Sequence, residues 1–188
     1  MVELKPAMLF VDLLEDFLQK REFVDSRGRL AAAVNELAKA ARELSIPIIW
    51  VRQEFEEDLS DAFQSMRDNN IRITIKGTPG CRLVSELDQH PTDHEIVKKR
   101  YSCFYNTRLE ELLTKLGCNT LVIGGVNTHA CVRMAAVDAY QRDFRVVLAR
   151  DCIGSYDKQY HDESMRYLEQ SIGKAVTNSE LIAELRSA

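Results

Sequence analysis

The chain is poor in the residues and patterns that mark special classes of protein. Only 8 glycines and 4 prolines occur among 188 residues, and 45% of the residues are hydrophobic, which excludes collagen-like and disordered chains. No apolar run approaches the roughly 18 residues of a membrane-spanning helix, and the N-terminal residues lack the pattern of a signal peptide. The sequence therefore predicts one cytoplasmic domain over residues 1–188, with no membrane partner.

Basic residues do not outnumber acidic ones. The chain has 25 Lys and Arg against 29 Asp and Glu, which gives a formal net charge of −4. Binding to nucleic-acid phosphates requires a basic stripe on one face of the protein. Nucleic acid is therefore not expected as a partner.

Cysteine and histidine do not occur at the spacings of a metal site. The chain has no C-x-x-C pair and no H-E-x-x-H motif, so we expect neither a metal nor another cofactor. In a reducing compartment a disulfide framework is not expected either. Most of the thiols are therefore expected to pack in the core, although one of them could be chemically active. The five cysteines are Cys81, Cys103, Cys118, Cys131 and Cys152.

Short apolar runs alternate with longer segments of helical periodicity. This pattern predicts an α/β fold, in which helices cover both faces of a parallel sheet. A capping box of Thr107 and Glu110 is predicted to open one helix, and Thr177 and Glu180 are predicted to open the last helix. The irregular segment 54–89 is expected to shape a binding site or a subunit contact. Strands are predicted at 7–11, 48–51, 94–97, 120–123, 145–149 and 175–176, and helices at 30–44, 107–117, 130–142, 161–173 and from 177 onward.

Three residues with complementary chemistry follow predicted strands. Asp12 ends the first strand, Lys98 ends the third, and Cys131 begins the helix after the fourth. Ligands of an open α/β sheet bind beyond the carboxyl ends of its strands. A lysine and a helix N-terminus favour a thiolate, and a carboxylate can accept and return its proton. Taken singly, each residue also has an ordinary structural interpretation, so the functional one depends on their meeting.

Three ordered motifs carry these residues: D-L-L-E-D-F with Asp12, V-K-K-R-Y-S-C-F-Y-N-T with Lys98, and G-G-V-N-T-H-A-C-V-R-M-A-A-V-D-A with Cys131. Together they resemble the isochorismatase-like cysteine hydrolases, over residues 7–177. The resemblance implies a three-layer α/β/α fold with a six-stranded parallel sheet in the order 3-2-1-4-5-6. It also implies a homo-oligomer and a catalytic triad of Asp12, Lys98 and Cys131.

The resemblance further implies a mechanism. Asp12 would take the proton of Cys131, whose sulfur would attack a small amide, ureido or carbamoyl substrate to form a thioester. The backbone N–H groups of Asn127 and Cys131, next to a cis peptide bond between Val126 and Asn127, would hold the oxyanion. Lys98 would keep Asp12 and the thiolate charged. The expected reaction is thus hydrolysis of a C–N bond in a small-molecule substrate.

Departures from the family pattern narrow this expectation. Nicotinamidases of the family carry an Asp and two His as metal ligands around the second strand. No histidine is near that strand here, so nicotinamidase activity is disfavoured. Isochorismatases proper lack the cysteine and cleave a vinyl ether, so Cys131 favours a C–N hydrolase. Leu14 stands where the family commonly has Gln, and Cys103 stands where the residue is usually small.

Several residues are expected to line the substrate pocket. Arg52 or Arg100 could bind a substrate carboxylate, and each could equally be a structural ion-pair partner. His129 lies two residues before Cys131, a spacing that points side chains apart on a helix, so a Cys-His dyad is not expected. The expected substrate-binding residues are Phe17, Arg52, Tyr101, Asn127 and Thr128.

Two other kinds of function remain open. A nucleotide-binding oxidoreductase can use the same sheet, but the loop at 124–129 lacks the spaced glycines of G-x-G-x-x-G. A catalytically silent member that serves as a binding or assembly subunit is also compatible with the sequence, because fold and motif do not prove turnover.

Overall fold

The computed structural model describes residues 4–20, 23 and 26–187. These residues form a six-stranded sheet in which all neighbouring strands are parallel, in the order β3-β2-β1-β4-β5-β6. The predicted sheet and strand order are therefore confirmed. The strands are β1 Pro6–Val11, β2 Ile48–Gln53, β3 His94–Lys98, β4 Thr120–Gly125, β5 Arg145–Ile153 and β6 Lys174–Val176.

Helices cover both faces of the sheet, as the apolar strands require. On one face α2 and α7 pack against alternate β1 residues such as Met8 and Phe10. On the other face α4, α5 and α6 pack against the intervening residues, such as Leu9 and Val11. The helices are α1 Glu15–Leu18, α2 Arg27–Glu43, α3 Gln64–Asp68, α4 Leu109–Leu116, α5 Arg133–Tyr140, α6 Lys158–Ser171 and α7 Asn178–Ser187.

Some element boundaries differ from the sequence prediction. The predicted strand at 145–149 continues to Ile153, because after a register shift Ile153 pairs with Gly125. The helix predicted from 130 begins with a π-helical turn, Thr128–Val132, before α5. The helix predicted from 161 begins one turn earlier, because Asp157 caps α6 by accepting the backbone N–H of Tyr160 at 2.9 Å.

The two predicted capping interactions have different outcomes. The prediction of a capping box at Thr107 and Glu110 was wrong, because Glu110 accepts a hydrogen bond from Arg142 at 2.9 Å. The pair predicted to open the last helix does form a capping box. Glu180 accepts the N–H of Thr177 at 2.9 Å, and the hydroxyl of Thr177 accepts the N–H of Glu180 at 3.4 Å.

The segment 54–89 contains α3 and a 3₁₀ turn, Pro79–Cys81, and packs around a small apolar cluster. It also contacts the loop after β3. Asp61 pairs with Lys99 at 2.8 Å, and Phe63 packs against Tyr101 with ring centroids 4.9 Å apart. The segment therefore lies against the chain that follows Lys98, which favours a role in shaping a binding site. Within the described ranges, no helix is long and apolar enough to span a membrane.

Candidate active site

Asp12 directly follows β1, the strand between β2 and β4. Its φ of 55° lies in the left-handed region, which aspartate tolerates better than most residues. Its backbone N–H donates to the carbonyl of Val51 at 2.9 Å, and its side chain is fully buried. The turn after β1 thus places a carboxylate inside the protein at the carboxyl edge of the sheet.

Lys98 ends β3 and is also fully buried. Its Nζ lies 2.7 Å from Asp12 Oδ2, 3.0 Å from the carbonyl oxygen of Arg100 and 3.4 Å from Cys131 Sγ. The contacts with the Arg100 carbonyl and with Cys131 are hydrogen bonds, and the contact with Asp12 is an ion pair. The structure therefore brings the three predicted residues together around one cation.

Cys131 lies in the π-helical turn after β4 and is 4% exposed. The chain reaches this turn through Gly125, whose φ is +128°, and a Cβ there would lie 2.0 Å from the carbonyl oxygen of Val11. Only glycine permits so close an approach of β4 to β1. The next residue, Val126, donates its N–H to the same carbonyl at 2.9 Å. The predicted cis peptide bond between Val126 and Asn127 is present.

Burial and charge set the protonation of the site. Burial raises the pKa of the Cys131 thiol well above its usual value, the charge of Asp12 raises it further, and the charge of Lys98 acts against both. Burial alone lowers the pKa of Lys98, but the charges of Asp12 and Cys131 outweigh it and raise that pKa. The free protein therefore favours a neutral thiol beside a charged lysine. Asp12 Oδ1 has no hydrogen-bond partner within the part of the chain that is described.

Asn127 and Thr128 form the start of the turn that carries Cys131. The N–H and the hydroxyl of Thr128 both donate to the carbonyl of Gly154, at 3.0 and 2.9 Å. Thr128 Oγ1 also lies 2.7 Å from His161 Nδ1. The backbone N–H of Asn127 has no acceptor among the described residues, which leaves it available to a ligand. Its role in an oxyanion hole stays a prediction.

The arginines proposed as substrate anchors are engaged elsewhere. Arg52 donates to both carboxylate oxygens of Glu95 at 2.9 Å, to Glu54 at 3.1 Å and to the carbonyl of Cys81 at 2.9 Å. Arg100 donates to the carbonyl of Asp61 at 2.8 Å. These contacts favour the structural alternative for both arginines.

The other predicted pocket residues have different surroundings. Phe17 packs in the core cluster on the α2 face of the sheet, whereas Cys131 belongs to the cluster on the opposite face. Tyr101 is 49% exposed. His129 lies 2.8 Å from Ser155 Oγ through its Nδ1, and its ring packs against Tyr156. The contacts of His129 are consistent with the expected absence of a Cys-His dyad, whereas the substrate-binding roles of Phe17 and Tyr101 stay predictions.

Two further buried side chains lie near these three residues, and the sequence analysis assigned no role in the site to either. Cys103 is fully buried, which raises the pKa of its thiol to about 12 although the charge of Lys98 opposes this. Gln53 is the β2 neighbour of Lys98 and is 3% exposed, and its Nε2 has no hydrogen-bond partner among the residues that the structure describes. Gln53 could have been found from the sequence as a polar residue at the end of an apolar, buried strand.

Two cavities among the described residues lie away from the site. One of about 630 Å³ is lined by Gly154 and His161, and one of about 620 Å³ by Asp16 and Gly80. Neither includes a triad residue. Among the described residues, no group of three or more His, Cys, Asp or Glu side chains is placed to hold a metal ion. The chemistry of the three residues, rather than cavity size, therefore identifies the candidate site.

Two known proteins are similar in sequence to most of this chain. A protein from Arabidopsis thaliana named "Probable inactive nicotinamidase" is 29% identical over 187 residues, 95% of each chain. A ureidoacrylate amidohydrolase from Methylorubrum extorquens is 30% identical over 167 residues, 76% of this chain and 67% of that protein.

The fold is shared with a solved structure. The crystal structure of a cysteine hydrolase from Pseudomonas syringae pv. phaseolicola has a TM-score of 0.90, with 22% identity, over 100% of this chain and 95% of that one. A family model described as Isochorismatase domain matches residues 6–180. This match includes the strands, the buried carboxylate, the lysine and the cysteine, and the chain belongs to the isochorismatase domain family.

Proposed function

We propose that the protein is a cysteine-dependent amidohydrolase that cleaves a C–N bond in a small amide, ureido or carbamoyl substrate. The observation that carries this proposal is the contact of Lys98 Nζ with both Asp12 Oδ2 and Cys131 Sγ, at 2.7 and 3.4 Å. A base, a cation and a sulfur nucleophile in one buried site are the groups that acyl transfer requires. One relative is named a ureidoacrylate amidohydrolase, and this name describes hydrolysis of the same kind of bond.

Acylation begins with the neutral thiol. Asp12 accepts the thiol proton as the sulfur of Cys131 bonds to the carbonyl carbon, and negative charge moves to the carbonyl oxygen. The backbone N–H groups of Asn127 and Cys131 donate to that oxygen. When the oxyanion collapses, the C–N bond breaks and the departing nitrogen takes the proton from Asp12. The products are ammonia or an amine and a thioester on Cys131.

Deacylation uses the same groups. Asp12 takes a proton from water, whose oxygen attacks the thioester carbon, and the carbon–sulfur bond breaks. The sulfur recovers its proton, and a carboxylic or carbamic acid leaves. Lys98 remains an ammonium group throughout, since its raised pKa keeps it charged, and it stabilises the negative charge that passes between Asp12 and Cys131.

Turnover and trapping of the intermediate test this proposal. Ammonia release is measured with a panel of amides, ureides and carbamates, and the protein is then quenched in acid for mass spectrometry. We expect an acyl adduct on Cys131 and no turnover by Cys131→Ala. Cys118→Ala is the matched control, because Cys118 is half-buried and contacts the carbonyl of Pro6 at the opposite edge of the sheet. Activity that survives Cys131→Ala would refute the proposal.

A non-catalytic binding or assembly subunit is the second candidate. It is favoured by one specific observation, namely that a relative covering 95% of this chain is named inactive. Absence of turnover across the whole panel, in a protein whose Cys131 is reduced and unmodified by mass, would favour this candidate over the hydrolase.

We also infer a single-domain, cytoplasmic protein that assembles as a homo-oligomer. This inference is supported by the family resemblance and by the composition of the chain. Light scattering coupled to size-exclusion chromatography measures the mass in solution. A mass of 21.5 kDa at micromolar concentration, which is that of one chain, would contradict the oligomer.

A further inference from the structure

Two half-buried residues outside the triad connect the chain segments that carry its cation and its nucleophile. The hydroxyl of Ser102, in the loop after β3, donates a short hydrogen bond to Asp138 Oδ2 on α5. The same hydroxyl oxygen accepts the backbone N–H of Phe104 at 3.1 Å. Because a hydroxyl has one proton to donate, these two bonds define its orientation.

The Ser102 end of this contact is close to the ligands of Lys98. The carbonyl of Arg100, two residues before Ser102, accepts a hydrogen bond from Lys98 Nζ at 3.0 Å. The position of that carbonyl therefore helps to determine where the ammonium group lies between Asp12 and Cys131. A shift of the loop would move one of the three acceptors of Lys98.

The Asp138 end is close to the nucleophile. Asp138 follows Cys131 by seven residues, about two helical turns, in one continuous run of the π-helical turn and α5. Helical backbone is rigid over so short a distance, so a restraint on Asp138 is also a restraint on Cys131. Asp138 Oδ1 has two weaker contacts, a 3.4 Å hydrogen bond from Gln141 and a 3.8 Å ion pair with Arg142.

We propose that the Ser102–Asp138 hydrogen bond positions the Lys98 ammonium group relative to the Cys131 sulfur, and that both are positioning residues of the hydrolytic reaction. This inference rests on the proposed function. The bond links the loop whose carbonyl holds the cation to the helix that bears the nucleophile, and so maintains the contact between Lys98 Nζ and Cys131 Sγ. Catalytic groups displaced by about 1 Å can lose roughly 100-fold in rate.

The test compares Ser102→Ala, Asp138→Ala and the double variant with Asp138→Asn, which keeps an acceptor for the Ser102 hydroxyl. We expect kcat to fall about 10- to 100-fold in each alanine variant, with little change in KM. Because both changes remove the Ser102–Asp138 bond, the double variant should lose little more kcat than Asp138→Ala alone, which also removes the contacts with Gln141 and Arg142. Asp138→Asn should stay close to the wild-type kcat. Gln141→Ala is the matched control, because it removes the 3.4 Å hydrogen bond from Gln141 to Asp138 and keeps the bond from Ser102.

A second measurement needs no turnover. The rate of Cys131 alkylation by iodoacetamide is measured against pH in the same variants. The charge of Lys98 lowers the pKa of Cys131. If the Lys98 ammonium group moves away from the Cys131 sulfur, the alkylation profile should therefore shift to higher pH. A role confined to folding would lower Tm and leave this profile unchanged.

The outcomes separate this inference from the proposed function. Wild-type kcat and an unshifted profile in Ser102→Ala and Asp138→Ala overturn the positioning role and leave the hydrolase proposal intact. A wild-type protein without turnover removes the hydrolase proposal, and a shifted profile then still shows that the bond sets the distance from Lys98 to Cys131. Equal losses in Asp138→Asn and Asp138→Ala also overturn the role of the hydrogen bond.

Discussion

Lys98 Nζ lies 2.7 Å from Asp12 Oδ2, and the side chains of both residues are fully buried. Removing two charges from water is costly, and their mutual attraction repays the cost only while both are present. This ion pair therefore couples the stability of the fold to the chemistry of the site.

Breaking the pair from one side should destabilise the protein strongly. Lys98→Met leaves the Asp12 carboxylate buried without its cation, which we expect to lower the free energy of unfolding by about 3–5 kcal/mol. The double variant Asp12→Asn with Lys98→Met removes both charges and should be more stable than Lys98→Met alone. Urea denaturation followed by circular dichroism measures both. A Lys98→Met protein as stable as wild type would contradict the role given to the pair.

The protonation of Cys131 should respond to Asp12 in a direction that separates two mechanisms. The Asp12 charge raises the pKa of the thiol, so Asp12→Asn should lower that pKa and increase the thiolate fraction at neutral pH. If Asp12 is the general base, turnover should nevertheless fall by about 10²- to 10⁴-fold. Thiolate absorbance near 240 nm, measured against Cys131→Ala, reports the pKa. Retained turnover in Asp12→Asn would show that a preformed thiolate suffices.

The buried Gln53 side chain should lower the free energy of unfolding of the free protein. Its buried Nε2 lacks a hydrogen-bond partner within residues 4–20, 23 and 26–187, and an unsatisfied buried donor costs about 1–3 kcal/mol. Gln53→Met has a similar shape and no donor, so we expect the free energy of unfolding to rise by about 1 kcal/mol or more. Gln89→Met is the control, because Gln89 is exposed and lies before the start of β3. A destabilised Gln53→Met protein would contradict this interpretation.

Gly125 should tolerate no side chain. Gly125→Ala places a Cβ 2.0 Å from the carbonyl oxygen of Val11 and imposes a φ of +128° on an L-residue. We expect a loss of at least about 2 kcal/mol in unfolding free energy, together with loss of activity as the turn carrying Cys131 shifts.

Gly28→Ala is the matched control for this change. Gly28 lies in α2, and no atom of the described part of the chain lies within 4 Å of the added Cβ. A helical Gly→Ala change should therefore raise stability by about 0.5–1 kcal/mol. Equal effects at Gly125 and Gly28 would mean that the close approach of β4 to β1 is dispensable.

Much of the site could be predicted because its residues follow strands. Apolar runs buried on both faces identify parallel strands without knowledge of their neighbours, and Asp12 is the first polar residue after such a run. Lys98 instead ends the half-exposed strand β3, and its motif rather than an apolar run singled it out. Cys131 follows the glycines that end β4. The contacts of Arg52 and Arg100 could not be predicted in the same way. An arginine can bind a substrate carboxylate or a polar group of the protein itself, and only the distances in the folded chain decide between the two.

The sequence by itself determined the α/β class and the six strands and singled out the three residues of the proposed triad, because these depend on local periodicity and on motifs. Only the tertiary structure decided which acceptors share the ammonium group of Lys98, why position 125 must be glycine, and that burial keeps the Cys131 thiol neutral. Those properties arise from atoms that are distant in sequence, such as the carbonyl of Val11 and the carboxylate of Asp12. Packing alone sets their distances and their exclusion from water.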